Sequence, residues 1–369
     1  MVKVLAAPAE YYFRPGNYHI SYNLISRLND VEFKVITSSV DDSVKKLPNA
    51  NFVELRTCYV KYPIKVFLAA KKLEKWADVI HHMSPFPLGK EFNFFTIDTK
   101  KPVVVGPIEI PHRFFEDEMS LFGIPKLFWK LKDNSLRDYF SAKTLENADI
   151  LVAVNVETKK KVLEYTGGGN VVVIPLGVDT EFFTYCKVPD NYRILMIGMH
   201  IKRKGFDYMI QAMPEILREF PEAELHIVSS GPRTQYLKEL ALKLGVNKKV
   251  FFHGRVDDAK LLRLYHTSRI FCHPSLSESF SPVRAEAMAT GRPIVATNTA
   301  SGAEELIDRK CGVLVEPANP KALAEAVKKL FSDYNACVKM GLYGRRKVEK
   351  TYSWDLVVSK YKEIYESLV

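Results

Sequence analysis

The stretch RIFCHPSLSESFSPVRAEAMATGRPIVATN, Arg269 to Asn298, decides the fold. Two short, largely apolar runs, RIFCHPS and RPIVATN, flank a segment of small and apolar residues that opens at Pro282. Proline is tolerated at the first helical position because its missing N–H would have no partner there, so Ser281 reads as the N-cap and Pro282 as the start of a helix. That helix runs to about Thr290, and Gly291 ends it before the next strand. Strand, loop, helix and strand in succession form a βαβ unit, which builds a parallel sheet.

The same alternation extends in both directions. VKVLAAP, FKVITSS, NFVELR, DVIHHMS, PVVVGPI, DILVAVN and VVVIPLG precede the quoted stretch; RILMIGM, ELHIVSS and KVFFHGR lead up to it, and CGVLVEP follows. Asp179 to Tyr192, DTEFFTYCKVPDNY, has neither period and reads as a linker. The expected class is α/β, with one doubly wound domain over 1–178, a linker over 179–192 and a second such domain over 193–352. A chain of 369 residues is long enough for two separate cores. In sheets of this kind ligands bind outside the carboxyl ends of the strands.

Composition narrows the function. The chain is 47% hydrophobic and 26% charged, a globular balance, and no apolar run reaches the length of a membrane span. The opening MVKVLAAPAEYYF reads as a strand and loop, not as a signal peptide, so a cytoplasmic protein is expected. Cys58, Cys186, Cys272, Cys311 and Cys337 are scattered, which favours reduced thiols over a zinc site or disulfide framework. The net charge of +10 divides into 24 Lys and Arg against 21 Asp and Glu over 1–180, and 29 against 22 over the remainder. Neither half has a basic block interleaved with aromatics, so no nucleic-acid partner is expected, and a basic site for a phosphorylated ligand accounts for the surplus. The chain has no GxGxxG and no GxxxxGK[ST], against a dinucleotide dehydrogenase or a P-loop NTPase. TGGGN, Thr166 to Asn170, reads as a helix-to-strand turn.

Glu278 stands in the loop before the helix at Pro282 and Glu286 stands inside it, and no other Glu pair in the chain has that spacing. Between the two lies a helix N-terminus, whose unpaired N–H groups and positive dipole end favour phosphate. Carboxylates accept hydrogen bonds from vicinal hydroxyls on either side of such a phosphate. That combination suits a nucleotide sugar.

With these residues in place, the sequence resembles the retaining glycosyltransferases of family four, with the GT-B fold and an E-x7-E motif. The resemblance spans nearly the whole chain and is most specific over VFFHGRVDDAKLLRLYHTSRIFCHPSLSESFSPVRAEAMATGRPIVATNTASGAEELI. It implies two Rossmann-like domains facing a central cleft, the first for the acceptor and the second for the donor, with residues 353–369 packing back on the first. It implies that Glu278 accepts from the donor sugar's hydroxyls and Glu286 from the ribose. Lys204 would pair with the pyrophosphate, and the backbone near Ser279, Phe280, Ser281, Pro282 and Val283 would face the phosphates and sugar. Gly254 and Arg255 would meet the base, and Gly16, in RPGNY, would be a point of close backbone approach. His112 is the candidate for a first-domain catalytic histidine, with His81 and His82 as rivals.

The family pattern is not kept everywhere. Met199 stands where an arginine is usual, so Arg203 or Lys202 is expected to substitute. Ser279 and Ser281 replace two glycines, and Leu176 replaces an asparagine. The implied activity is transfer of a hexose from a nucleoside diphosphate to a hydroxyl, on a glycan, a lipid or a small molecule, without a tightly bound cofactor. No D-x-D occurs, so no metal is expected and basic side chains with the helix end take its place. Met119 to Phe140 combines aromatic and aliphatic residues with Lys126, Lys130 and Lys132, which leaves two readings: a peripheral surface at the inner face of the membrane, or a helix packed within the protein. A nucleotide-sugar epimerase of the same fold and a non-catalytic nucleotide-sugar-binding relative stay as alternatives. Donor base, acceptor and oligomeric state are open.

Overall fold

The computed structural model describes residues 1–9, 12–13, 20–57, 61–89, 91–111, 134–278, 280–299 and 303–369. The chain divides into two compact units, Met1–Gly177 with Trp354–Val369, and Val178–Ser353.

The strands of the first unit are β1 (Val2–Ala6), β2 (Tyr12–Phe13), β3 (Val31–Thr37), β4 (Ser39–Val40), β5 (Ala50–Glu54), β6 (Val79–His82), β7 (Phe86–Pro87), β8 (Val103–Glu109), β9 (Ile150–Ala153) and β10 (Val171–Val173). They form a parallel sheet in the order β10-β9-β8-β6-β1-β3-β5, with β7 beside β8 and a separate β2–β4 pair. β6 and β9 are buried along their whole length, because helices cover both faces of such a sheet and leave no solvent side. The helices are α1 (Ile20–Arg27), α2 (Tyr62–Leu73), α3 (Phe94–Ile97), α4 (Asn134–Glu146) and α5 (Val156–Thr166). α5 shows how local sequence sets the bounds: the Asn155 side chain accepts from the Thr158 N–H, and Gly167, at φ 69°, takes the left-handed turn that ends the helix. TGGGN is thus the turn into β10. Of the amphipathic stretch Met119 to Phe140, residues 119–133 lie outside the described residues.

The C-terminal helix (Trp354–Ser367) belongs to the first unit. Its Tyr365 hydroxyl lies 2.7 Å from Nδ1 of His81, whose Nε2 lies 3.1 Å from the Gly106 carbonyl. Both ring nitrogens are therefore engaged, and burial pushes the imidazole down to about 3, so it is neutral. His81 thus ties the C-terminal helix to the sheet through both ring nitrogens.

The second unit contains β11 (Arg193–Ile197), β12 (Glu224–Val228), β13 (Val250–Gly254), β14 (Ile270–His273), β15 (Ile294–Thr297) and β16 (Gly312–Val315), parallel in the order β13-β12-β11-β14-β15-β16. The chain winds outward from β11 to β13, then returns to lay β14 on the other side of β11. The junction of β11 and β14 is the topological switch point, where the loops beyond the strands part and leave a crevice. The helices are α6 (Phe206–Glu219), α7 (Thr234–Lys243), α8 (Asp258–Thr267), α9 (Pro282–Ala289), α10 (Ala303–Leu306), α11 (Pro320–Ser332) and α12 (Tyr334–Thr351). On α6, Phe206, Met209, Ile210, Met213 and Ile216 recur at helical spacing and are buried in the core.

Residues 179–192 are not a free linker. Phe183 is fully buried, and Arg345 of α12 donates to the carbonyls of Thr180 and Phe183. Val188 is also buried, and Arg292 and Tyr334 donate to the carbonyls of Cys186 and Val188, so the absence of a regular period reflects irregular backbone held at scattered points. Among the described residues no helix is long and apolar enough to cross a membrane.

α9 is buried from Val283 to Ala289, which its alanines permit. Behind it, Gly341 of α12 approaches Gly291 so closely that a Cβ at 341 would meet the Gly291 carbonyl oxygen at 2.0 Å. Replacing Gly341 with Ala is expected to destabilise the second unit by about 1–3 kcal/mol, the usual cost of overpacking. Chemical denaturation of the wild type and Gly341→Ala measures it, and equal midpoints would contradict the contact.

Candidate functional site

The loop after β11 and the loop after β14 are drawn together by backbone contacts. Leu276 N–H donates to the Arg203 carbonyl at 2.7 Å. Gly205, at φ 66°, ends the short 3-10 turn Lys202–Lys204 and opens α6. Any Cβ there would lie 2.0 Å from the Pro274 carbonyl oxygen, so only glycine allows this approach.

The approach places Arg203 and Lys204 on Glu278. The Glu278 side chain is 9% exposed; its Oε2 accepts from Lys204 Nζ at 2.8 Å and from Arg203 Nη1 at 3.1 Å, and the Ser275 hydroxyl is 3.1 Å away. Burial alone would raise this carboxyl, but Lys204 and Arg203 outweigh burial and hold it well below the ordinary carboxylate range. The structure thus brings together Glu278, Lys204 and Arg203, while Lys202 is exposed and Met199 partly buried beside the turn.

Ser281 does stand at the N-cap and Pro282 at the first helical position, but the buried Ser281 hydroxyl does not cap the helix. Its carbonyl takes the first helical bonds, from the N–H groups of Arg284 and Ala285. Val283 is buried, and the Phe280 ring lies 6.0 Å from that of Tyr352. Glu286, 1% exposed, is not part of the Glu278 cluster: its Oε2 accepts from the Tyr265 hydroxyl at 2.8 Å. Tyr265 was not legible as a partner from sequence. Gly254 ends β13 at φ 67°, its carbonyl bonded to the Ser229 N–H, and Arg255 is exposed beyond it. Ser279, Gly16 and His112 lie outside the described residues.

In the first unit His82 closes β6. It is fully buried, with Nδ1 3.3 Å from the Asn93 amide and Nε2 3.9 Å from the partly buried Glu91 carboxylate. Burial pushes its imidazole down to about 3. Among the described residues no group of three or more His, Cys, Asp or Glu could hold a metal.

Two parallel α/β sheets of this kind match the GT-B fold of solved glycosyltransferase structures. Residues 178–347, nearly the whole of the second unit, match the family model described as glycosyl transferases group 1. The chain is 35% identical over 178 residues to an uncharacterized glycosyltransferase of Methanocaldococcus jannaschii, covering 48% of this chain and 45% of that protein. It is 28% identical over 249 residues to a D-inositol 3-phosphate glycosyltransferase of Corynebacterium urealyticum, covering 61% and 58%. The chain thus spans about half the length of these relatives. HepE of Anabaena, solved in complex with UDP, has the same fold over 100% of both chains, with a TM-score of 0.74 and 16% identity.

Lys204→Met removes one of two cations from a buried carboxylate. Breaking a buried pair costs about 3 kcal/mol at the low end, which applies because Arg203 remains. A carboxyl held low in the folded protein stabilises it above its ordinary 4.5, and that contribution fades as pH falls below it. The gap between wild type and Lys204→Met is therefore expected to hold from pH 7 to about 5 and to narrow in more acid solution. Denaturant titrations across that range check it, and a gap that widens in acid would contradict the pairing.

Proposed function

We propose that the chain is a retaining hexosyltransferase that moves a sugar from a nucleoside-diphosphate sugar to a hydroxyl acceptor. The observation that carries this reading is the meeting of Lys204, Arg203 and Glu278 at the switch point, one loop ahead of the N-terminus of α9. Lys204 and Arg203 would turn from the carboxylate to the diphosphate, with the amides near Phe280 to Val283 and the helix dipole adding donors. Glu278, released, would accept from the hydroxyls of the sugar. Glu286, oriented by Tyr265, would accept from the ribose, and Gly254 and Arg255 would meet the base.

In the reaction the bond from the anomeric carbon to the diphosphate oxygen breaks and a bond to the acceptor oxygen forms on the same face. The acceptor's proton passes to the departing diphosphate. The protein contributes positioning and stabilisation of the developing charge, for which two partly buried cations and a helix end serve without a metal. His112, Gly16 and Ser279 keep the roles the resemblance gives them, on the acceptor side and at the phosphates. The UDP in HepE and the inositol phosphate in the corynebacterial relative's name support a nucleotide donor and a polyol acceptor.

A thermal-shift panel of UDP-, GDP- and ADP-sugars, run with chelator on the wild type and Glu286→Gln, tests the reading. Since a ligand that binds only the folded state raises its stability, one nucleotide class is expected to raise the midpoint and the substitution to weaken that rise. No shift with any donor would contradict it.

A further inference from the structure

Beneath Glu278 lies a polar pair that the proposed chemistry leaves unused. His273, the last residue of β14, is 2% exposed, and Arg284, on the first turn of α9, is 1% exposed. Arg284 Nε donates to His273 Nδ1 at 2.8 Å. A guanidinium can only donate, so Nδ1 must offer a lone pair, and a neutral imidazole then carries its proton on Nε2. Burial first, and then the charge of Arg284, hold His273 well below its ordinary range, so the ring is neutral. Its Nε2 lies 3.9 Å from Glu278 Oε2 and has no hydrogen-bond partner among the described residues. The remaining groups around the ring are Lys204 and Arg203 from the loop after β11 and the parallel ring of Phe271, with centroids 6.3 Å apart.

We infer that Arg284 fixes the tautomer of His273 so that a neutral N–H stays aimed at Glu278, and that His273 is the positioning residue for this carboxylate when its cations engage a diphosphate. The inference rests on the donor-binding role proposed above. With the cations in place, Oε2 is already served and the imidazole stands back. Once Lys204 and Arg203 turn away, the same carboxylate is buried without its counter-charges, and a donor 3.9 Å from it needs to close only about 1 Å to bond. The neutral N–H holds the carboxylate ionised and oriented toward the sugar without adding a third cation that would compete for it.

Two measurements test the pair. The first uses the wild type alone: nitrogen-15 shifts of histidine-labelled protein report which ring nitrogen of His273 is protonated. Protonation at Nε2 with Nδ1 bare is expected, and the opposite tautomer or a doubly protonated ring at neutral pH would overturn the inference. The second compares His273→Gln, whose carbonyl can accept from Arg284 while its amide donates to Glu278, with His273→Leu. The assay is release of nucleoside diphosphate from the sugar nucleotide with water as acceptor, and calorimetric titration with UDP or GDP is the control. His273→Gln is expected to stay within about threefold of the wild-type kcat, and His273→Leu to fall about 10- to 100-fold, the rate equivalent of one hydrogen bond to a charged acceptor. The acid limb of the His273→Leu profile should move toward neutral pH, since its carboxylate protonates more easily, while nucleoside diphosphate affinity stays unchanged. Equal loss in both variants, or full activity in a folded His273→Leu, would overturn the positioning role. If the wild type neither binds nor releases nucleotide, the donor reading fails, and the nitrogen shifts still decide the tautomer.

Discussion

A carboxylate that is nine-tenths buried cannot stay ionised on its own, and Glu278 stays ionised because Lys204 and Arg203 lie on it at 2.8 and 3.1 Å. The surrounding backbone exists to keep those three groups in one place. The return of the chain from β13 to β14 sets the two loops side by side, Gly205 lets them touch, and the Arg203 carbonyl and the Leu276 N–H join them. The cost of desolvating the acid is met by these cations, and in the proposed function the same two would pass to a diphosphate, since what neutralises a buried carboxylate can also neutralise a diphosphate.

Helix α9 is held as firmly, by different means. Its alanines let it sink into the unit, Gly341 lets α12 close behind it, and Tyr265 reaches in to fix Glu286. One helix thus carries the Glu286 carboxylate from its interior and sets Arg284 against His273, 3.9 Å from Glu278. Rigid packing around a site with a few exchangeable polar contacts is what a binding crevice in a parallel sheet requires.

Much of this was legible in the sequence. The repeated strand and helix periods gave two parallel sheets, because buried parallel strands must be short apolar runs. Pro282 marked the start of α9, since proline fits there and almost nowhere else in a helix. The pairing of Lys204 with Glu278 was not legible, because 74 residues separate them and only the strand order brings them together. Nor was the idle Ser281 hydroxyl, since cap propensity gives a position and not a rotamer. Arg284 did leave a signal, a lone arginine among small apolar residues of a buried helix, but its partner His273 emerges only from the register of β14 against α9. The period of 179–192 failed to show that the segment is packed, because scattered anchors hold it: buried Phe183 and Val188, and donors from Arg345, Arg292 and Tyr334 far along the chain.

The central claim is that Glu278 holds the cations a diphosphate must take over, and calorimetric titration of the wild type and Glu278→Gln with UDP and with GDP tests it most directly. Removing the charge weakens the hold of residue 278 on Lys204 and Arg203, so the variant is predicted to bind the free nucleoside diphosphate about tenfold more tightly than the wild type, the equivalent of about 1.4 kcal/mol. Equal or weaker binding by Glu278→Gln would contradict the claim, because the carboxylate would then not be competing for those cations.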